Sequence, residues 1–176
     1  MKNKIAIITG ASSGIGKAIA HQLIEAGAIV VNADVHPPNH VAANNYYFIQ
    51  TDLTLKEEVL HLFDEVAKLG VPHILICNAG KGVHEKLAEG DPEKWQSVIN
   101  INLMGTLRFL RAFLPSMVKK GNGDIIFISS VAANQAYAFG GIYAASKAAM
   151  DAIAATLRLE LENNIRVSTI APGVVD

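Results

Sequence analysis

A phenol and an ammonium stand four residues apart in Tyr143-Ala144-Ala145-Ser146-Lys147, a segment that reads as helix. That spacing puts both side chains on one face. Upstream, Ser130 closes the apolar, strand-like run Asp124-Ile125-Ile126-Phe127-Ile128-Ser129. A phenol, an ammonium and a hydroxyl brought together make a proton-transfer site for a carbonyl or an alcohol. Near the other end of the chain, Thr9-Gly10-Ala11-Ser12-Ser13-Gly14-Ile15-Gly16 follows one apolar run and opens a helical pattern. Glycines there let the backbone turn sharply and approach a pyrophosphate, and the helix start offers N–H groups and the positive end of a dipole. The spacing is Gly-x-x-x-Gly-x-Gly rather than the more common Gly-x-Gly-x-x-Gly. A tight turn without ligand would use the same glycines, but with Ser12 and Ser13 between strand and helix the pattern points to a dinucleotide. The two ends together imply hydride transfer.

Two carboxylates bear on the cofactor. Asp34 ends the second apolar run, where it can accept hydrogen bonds from adenosine ribose hydroxyls and would repel a 2′-phosphate. No Arg or Lys occurs from position 33 to 45, which favours NAD over NADP. A solvated strand end is the alternative for Asp34. Asp52 follows the third run and either holds the adenine amino group or is an ordinary helix-entry aspartate.

These residues need a scaffold, and the chain supplies an alternation of short apolar runs and longer helical patterns. Strands are expected at Lys4–Thr9, Ile29–Asp34, Tyr46–Gln50, His73–Cys77, Asp124–Ser129 and Ile165–Ile170. Helices are expected at Gly14–Ala26, stopped by Gly27; from Thr54, read as the N-cap of a capping box with Glu57, to before Gly70; from Pro92, capped by Asp91, continuously to Lys120; and from Gly141 to Asn163. The connection His36–Asn45 is too short and too broken for a helix, so it is expected to be a loop or a single turn. Alternation of this kind predicts an α/β fold with a parallel, doubly wound sheet. Its ligands bind at the carboxyl ends of the strands, near the switch point between the first and fourth.

Composition bounds the rest. The 176 residues suit a single domain, 1–176, with a real core. With a net charge of −1 and no basic stripe, nucleic acid is not an expected partner. The apolar runs are too short to span a membrane. Cys77, the one cysteine, excludes an intrachain disulfide and fits a reducing cytoplasm; among apolar neighbours it reads as core filler, not a nucleophile. The six histidines are scattered without ligand spacing, so no metal site is expected.

With these residues in hand, the chain resembles the short-chain dehydrogenase/reductase family from Lys4 to Asp176. Gly10, Gly14 and Gly16 match its cofactor fingerprint. Asn78-Ala79-Gly80 is similar to its Asn-Ala-Gly motif, which steadies the sheet beside the adenosine ribose. Asn102, in Asn102-Leu103-Met104-Gly105, matches the active-site asparagine, Ser130 the catalytic serine, Tyr143 and Lys147 the Tyr/Lys pair, and Pro172-Gly173 the motif lining the nicotinamide. The resemblance implies a Rossmann-type sheet of order 3-2-1-4-5-6 and further cofactor contacts at Ile15, Leu53 and Val175. It implies an NAD(P)-dependent enzyme acting on the CH–OH group of a small alcohol or ketone, and pairing of the two long helices in a homodimer or homotetramer.

In that chemistry Tyr143 is the acid or base. A free phenol titrates near about pH 10, and bringing one to neutrality takes roughly 4 kcal/mol, which Lys147 and a cationic nicotinamide can supply. Lys147 also binds the nicotinamide ribose, Ser130 holds the substrate oxygen, and Asn102 holds a relay water. Read alone, Tyr143 is a core tyrosine and Lys147 a solvated lysine. Ser129 competes with Ser130, and Asn100 with Asn102; the family spacing selects Ser130 and Asn102. Gly105 fits a close helix contact as well as a function. Lys81 is a departure from the family's apolar residue and suits either solvent or an anionic substrate. The loop Asn134–Phe139 is expected to contribute to a substrate pocket. Family members run further, with a seventh strand and a covering lid, so a longer chain is expected; without that continuation Ile165–Ile170 would be an uncovered apolar edge. The alternative to an enzyme is a non-catalytic dinucleotide-binding or regulatory protein on the same fold.

Overall fold

The computed structural model describes residues 1–39, 43–161 and 164–174. Six parallel strands pair in the order β3-β2-β1-β4-β5-β6. They are β1 Ile5–Thr9, β2 Ile29–Asp34, β3 Tyr46–Gln50, β4 Ile74–Cys77, β5 Gly123–Ile128 and β6 Ile165–Ile170. The expected strands and the expected order are all present, with ends displaced by one residue at β1, β4 and β5. The central strands are apolar on both sides because both of their faces are covered: every residue of β1 and β4 is buried.

Helix α1, Gly14–Glu25, packs through Ile15, Ile19 and Leu23 onto Ala6, Ile8, Val30 and Ile76 on one face. Helices α2, Lys56–Ala67, α4, Thr106–Lys120, and α5, Gly141–Glu160, cover the other face, where Phe109, Phe113 and Met117 meet Leu62, Leu75, Ile125 and Met150. Phe113 stands between Phe63 and Phe109, with ring centroids 5.5 and 5.2 Å away. Burying rings of this size contributes about 1.5–3 kcal/mol each. The described residues between β2 and β3 form no helix, as the broken His36–Asn45 segment predicts; His40 lies outside the described residues.

Three expectations at helix ends and one at an edge are modified. The Thr54/Glu57 capping box does not form. Helix α2 begins one residue later, with Leu55 in extended conformation at its N-cap. Asp52 instead orders the chain leading into the helix: its Oδ1 accepts from Thr54 N at 2.8 Å, and Glu58 reaches back from the first turn to accept from Asp52 N at 2.6 Å. Asp91 does cap α3, Pro92–Ile99, accepting from Glu93 N. The helix expected to run unbroken from Pro92 to Lys120 is instead α3, a π-helical segment Asn100–Gly105, and α4. Helix α5 ends at Glu160, with Leu161 already extended, short of the expected Asn163, which lies outside the described residues. At the β6 edge, burial alternates rather than being uniformly open. Arg158 of α5 covers part of it, donating to Val167 O at 2.9 Å and to Thr169 Oγ1 at 2.8 Å. No helix among the described residues is long and apolar enough to cross a membrane.

Candidate active site

The carboxyl ends of β1, β2, β4 and β5 open into two adjoining cavities of about 480 and 370 Å³ that share Ile15, Asn78, Gly80 and Lys81. Gly10, Ser13, Gly14, Asp34, Asp52, Leu53 and Ala79 line the first. Ser129, Ser130, Tyr143, Lys147, Pro172 and Gly173 line the second. Of the expected site residues, Ser12, Gly16 and Asn102 support the walls without lining them, and Val175 lies outside the described residues.

Backbone conformation makes the first cavity. Gly10 leaves β1 at φ 71° and Gly14 enters α1 at φ 52°, a region that costs side-chain-bearing residues energy. Gly16 is required by close approach: a Cβ there would lie 2.3 Å from Gly10 O and 2.5 Å from Asn78 Nδ2. Ser13, the N-cap of α1, makes no side-chain bond to the helix start, which leaves the first-turn N–H groups facing the cavity as an anion site. Asn78 ties β4 to β1, donating to Thr9 O and Gly10 O at 2.8 and 2.9 Å, while Thr9 Oγ1 accepts from Asn78 N and Ala79 N.

The acidic side chains of this half are engaged within the protein. Asp34 Oδ2 accepts from Ser12 N at 3.0 Å and Oδ1 from His36 N at 3.1 Å, so the carboxylate fixes the loop and places its charge at the rim. Ser12 Oγ donates to His36 O. Asn32, fully buried in β2, supports the loop from beneath: Oδ1 accepts from Ala11 N, and Nδ2 donates to Ser12 Oγ and Tyr46 Oη. A polar residue inside Ile29-Val30-Val31-Asn32-Ala33 is the sequence signal for this strut, and the motif reading passes over it. Gly105 presses on the same cavity from behind, since a Cβ there would lie 2.9 Å from Leu53 Cβ.

Side chains make the second cavity. Ser130 caps the 3₁₀ turn Val131–Ala133, its Oγ accepting from Ala132 N at 3.2 Å. Ser129 also lines the wall, and its buried Oγ has no partner. Tyr143 and Lys147 share one face of α5, with the ammonium 5.9 Å from the phenol ring centroid. Lys147 is 5 % exposed and donates to Ile128 O at 2.8 Å. Burial pushes its pKa down, against the opposing charge of Asp151. The solvated-lysine alternative therefore does not hold. Burial drives the Cys77 thiol well up, which keeps it protonated core.

Asn102 sits on the π-helical segment, fully buried. Its Oδ1 accepts from Lys81 N at 2.8 Å, and its Nδ2 donates to Lys81 O and Ser146 Oγ at 2.9 Å. Ser146 Oγ donates in turn to Tyr143 O at 2.7 Å. The sequence reading omits Ser146, although its place beside Lys147 marks it: it is the post through which Asn102 holds the Tyr143 helix. Lys81 lines both cavities, but its ammonium bonds Ser97 Oγ. Asn100 faces away and accepts from Arg108. The Asn134–Phe139 loop approaches only through Tyr137, whose Oη is 3.0 Å from His84 Nε2 on the cavity wall. Among the described residues no group of acidic, histidine and cysteine side chains gathers as a metal site.

Comparisons with known proteins agree with this geometry. The short chain dehydrogenase family matches residues 4–176. An uncharacterized oxidoreductase of Staphylococcus saprophyticus is 36 % identical over 187 residues, spanning all of this chain and 80 % of that protein. Among solved structures, a short chain dehydrogenase of Leptospira borgpetersenii with bound NAD+ is 26 % identical, with TM-score 0.92 over 100 % of this chain and 73 % of that one. The closed form of a serine dehydrogenase complexed with NADP+ is 29 % identical, with TM-score 0.89 over 98 % of this chain and 73 % of that one. The chain belongs to the short-chain dehydrogenase/reductase family of oxidoreductases.

Proposed function

We propose that this oxidoreductase transfers hydride between a nicotinamide dinucleotide, NAD in preference to NADP, and a small alcohol or ketone, with Tyr143 as general acid and base. The observation that carries the reading is the joining of two cavities. One is a glycine-built cradle at a helix start, and the other is lined by a buried ammonium, a phenol and a serine hydroxyl. The cradle suits the cofactor, because Gly10 and Gly14 turn the backbone sharply at the start of α1 and Gly16 lets that helix pack tightly on the loop, the features that admit a pyrophosphate to a helix N-terminus. A bound nicotinamide supplies or accepts the hydride.

The chain's own groups do the rest. Ser130 Oγ holds the substrate oxygen, and in the oxidation direction Tyr143 removes the hydroxyl proton. Lys147, held by Ile128 O in a poorly solvated position, stabilises the phenolate electrostatically, more strongly there than it would in water. Asn102 acts from behind: its amide sets the spacing between Lys81 and α5. Its backbone oxygen accepts from Thr106 Oγ1 and keeps a second lone pair for a relay water. In reduction the proton moves the other way. The Asp34 carboxylate at the first cavity's rim favours NAD by repelling a 2′-phosphate. Small secondary alcohols and ketones assayed by NADH and NADPH absorbance test the reading. Turnover favouring NAD(H) supports it, and cofactor binding without turnover of any substrate in the panel contradicts it.

A further inference from the structure

His84 is a wall residue of the second cavity that the chemistry above does not use. A Cβ built on Gly82 would lie 3.5 Å from His84 Cε1 and 3.7 Å from Tyr143 Cδ2. The bare glycine therefore keeps an open space between the imidazole and the reacting phenol.

The imidazole is held from several directions. Its Nε2 is 3.0 Å from Tyr137 Oη, with the rings 5.8 Å apart. The next residue, Glu85, donates its N–H to Phe139 O at 2.9 Å. The Glu85 carboxylate accepts from Asp91 N at 3.0 Å, Trp95 Nε1 at 3.2 Å and Lys94 Nζ at 2.7 Å. Phe139 adopts φ 68° to present its carbonyl, a conformation bulky residues rarely adopt. Tyr137 lies across Gly140, where a Cβ would come within 2.1 Å of its Cζ. Two loops are thus clasped to fix one ring at the cavity, the support a recognition residue requires.

The pair's chemistry selects a ligand class. Nε2 either accepts the tyrosine O–H, leaving Nδ1 an N–H donor, or donates to the oxygen, leaving Nδ1 an acceptor. A hydroxyl, donor and acceptor at once, suits such a group. A carboxylate or phosphate calls for a cation free to face it, whereas the Lys147 ammonium serves the phenol and the Lys81 ammonium is turned to Ser97 Oγ. A hydrocarbon end would make no use of the ring's second nitrogen.

We propose that His84 is a specificity-determining residue that hydrogen-bonds a second hydroxyl of the substrate, with Tyr137 as its positioning residue, so that the enzyme takes diols and polyols in preference to simple alcohols. The proposal rests on the hydride-transfer reading. The test compares 2,3-butanediol with 2-butanol, which differ by one hydroxyl, in the wild type and in His84→Phe, Tyr137→Phe and Gly140→Ala, with NADH binding as a check on folding. The wild type is expected to favour the diol in kcat/KM, chiefly through KM. His84→Phe lowers the diol-to-monool ratio about tenfold, the worth of one such hydrogen bond, and the other two variants lower it less. No diol preference in the wild type, or an unchanged ratio in His84→Phe, overturns the proposal. If the wild type turns over neither compound, the hydride-transfer reading fails for them while the clamp is still read by Tm at saturating NADH. A rise with the diol that His84→Phe abolishes supports the clamp, and equal shifts in both proteins overturn it.

Discussion

The two halves of the cleft are built on opposite plans. In the glycine-loop half, the polar side chains bond the protein itself: both oxygens of Asp34, the hydroxyl of Ser12, and the amides of Asn32 and Asn78 all have internal partners. What faces the cavity is largely backbone and a helix start. In the catalytic half the side chains do the facing. Ser130, Tyr143 and Lys147 line it, and Lys147 carries its charge at a cost in solvation. Shape, set by glycines, is the recognition device of the first half, and functional groups are the device of the second. The two should therefore fail differently: the first when a methyl group is added, the second when a polar atom is removed.

Gly16→Ala is the most severe way to break that contrast. Its Cβ would meet a backbone oxygen, Gly10 O, at 2.3 Å, and backbone cannot swing aside as a side chain can. We expect NADH affinity to fall by about a hundredfold or more, with a stability loss of about 1–3 kcal/mol. Isothermal titration and thermal unfolding measure both, and wild-type affinity in this variant would show that shape does not limit binding there. Asp34→Asn has a smaller effect. It keeps an acceptor for Ser12 N but removes the charge, and the ratio of NAD+ to NADP+ affinities should move toward NADP+ by about tenfold; an unmoved ratio would leave cofactor choice elsewhere.

The smallest effect lies at the opposite end of the sheet and should spare both halves. His73 Nδ1 accepts from Ile5 N at 3.2 Å. Burial first, then Lys120 and Lys4, hold its pKa below the ordinary 6.5. The unfolded chain therefore takes up this proton first as the pH falls. Stability present above 6.5 is lost as the pH drops through the window between that value and the lower folded one. A Tm series run downward from neutrality should show the decline, and His73→Gln should flatten it. A slope that is the same in both proteins would assign the effect to other groups.

The strands were legible because each is a short apolar run, their order through the family resemblance, and the glycine loop because its residues are consecutive. That the described residues between β2 and β3 form no helix was legible in Pro37-Pro38. Asp91 and Pro92 marked their helix correctly, whereas Thr54 and Glu57 did not, because Asp52 takes Thr54 N, the group that Glu57 would have bonded. The π-helical segment at Asn102 leaves no trace in periodicity, since one extra residue in a turn is hidden in a long amphipathic run. Ser146, Asn32 and the His84–Tyr137 clasp escaped for another reason. Their meaning lies in partners 44, 20 and 53 residues away, and no local pattern encodes those.

The proposed function separates the proton, carried by Tyr143, from cofactor binding, which falls mainly to the glycine-loop half. Steady-state turnover and NADH binding measured together on Tyr143→Phe separate the two. The account predicts turnover reduced by about a thousandfold or more, with NADH affinity retained. Turnover within a few fold of the wild type would contradict it.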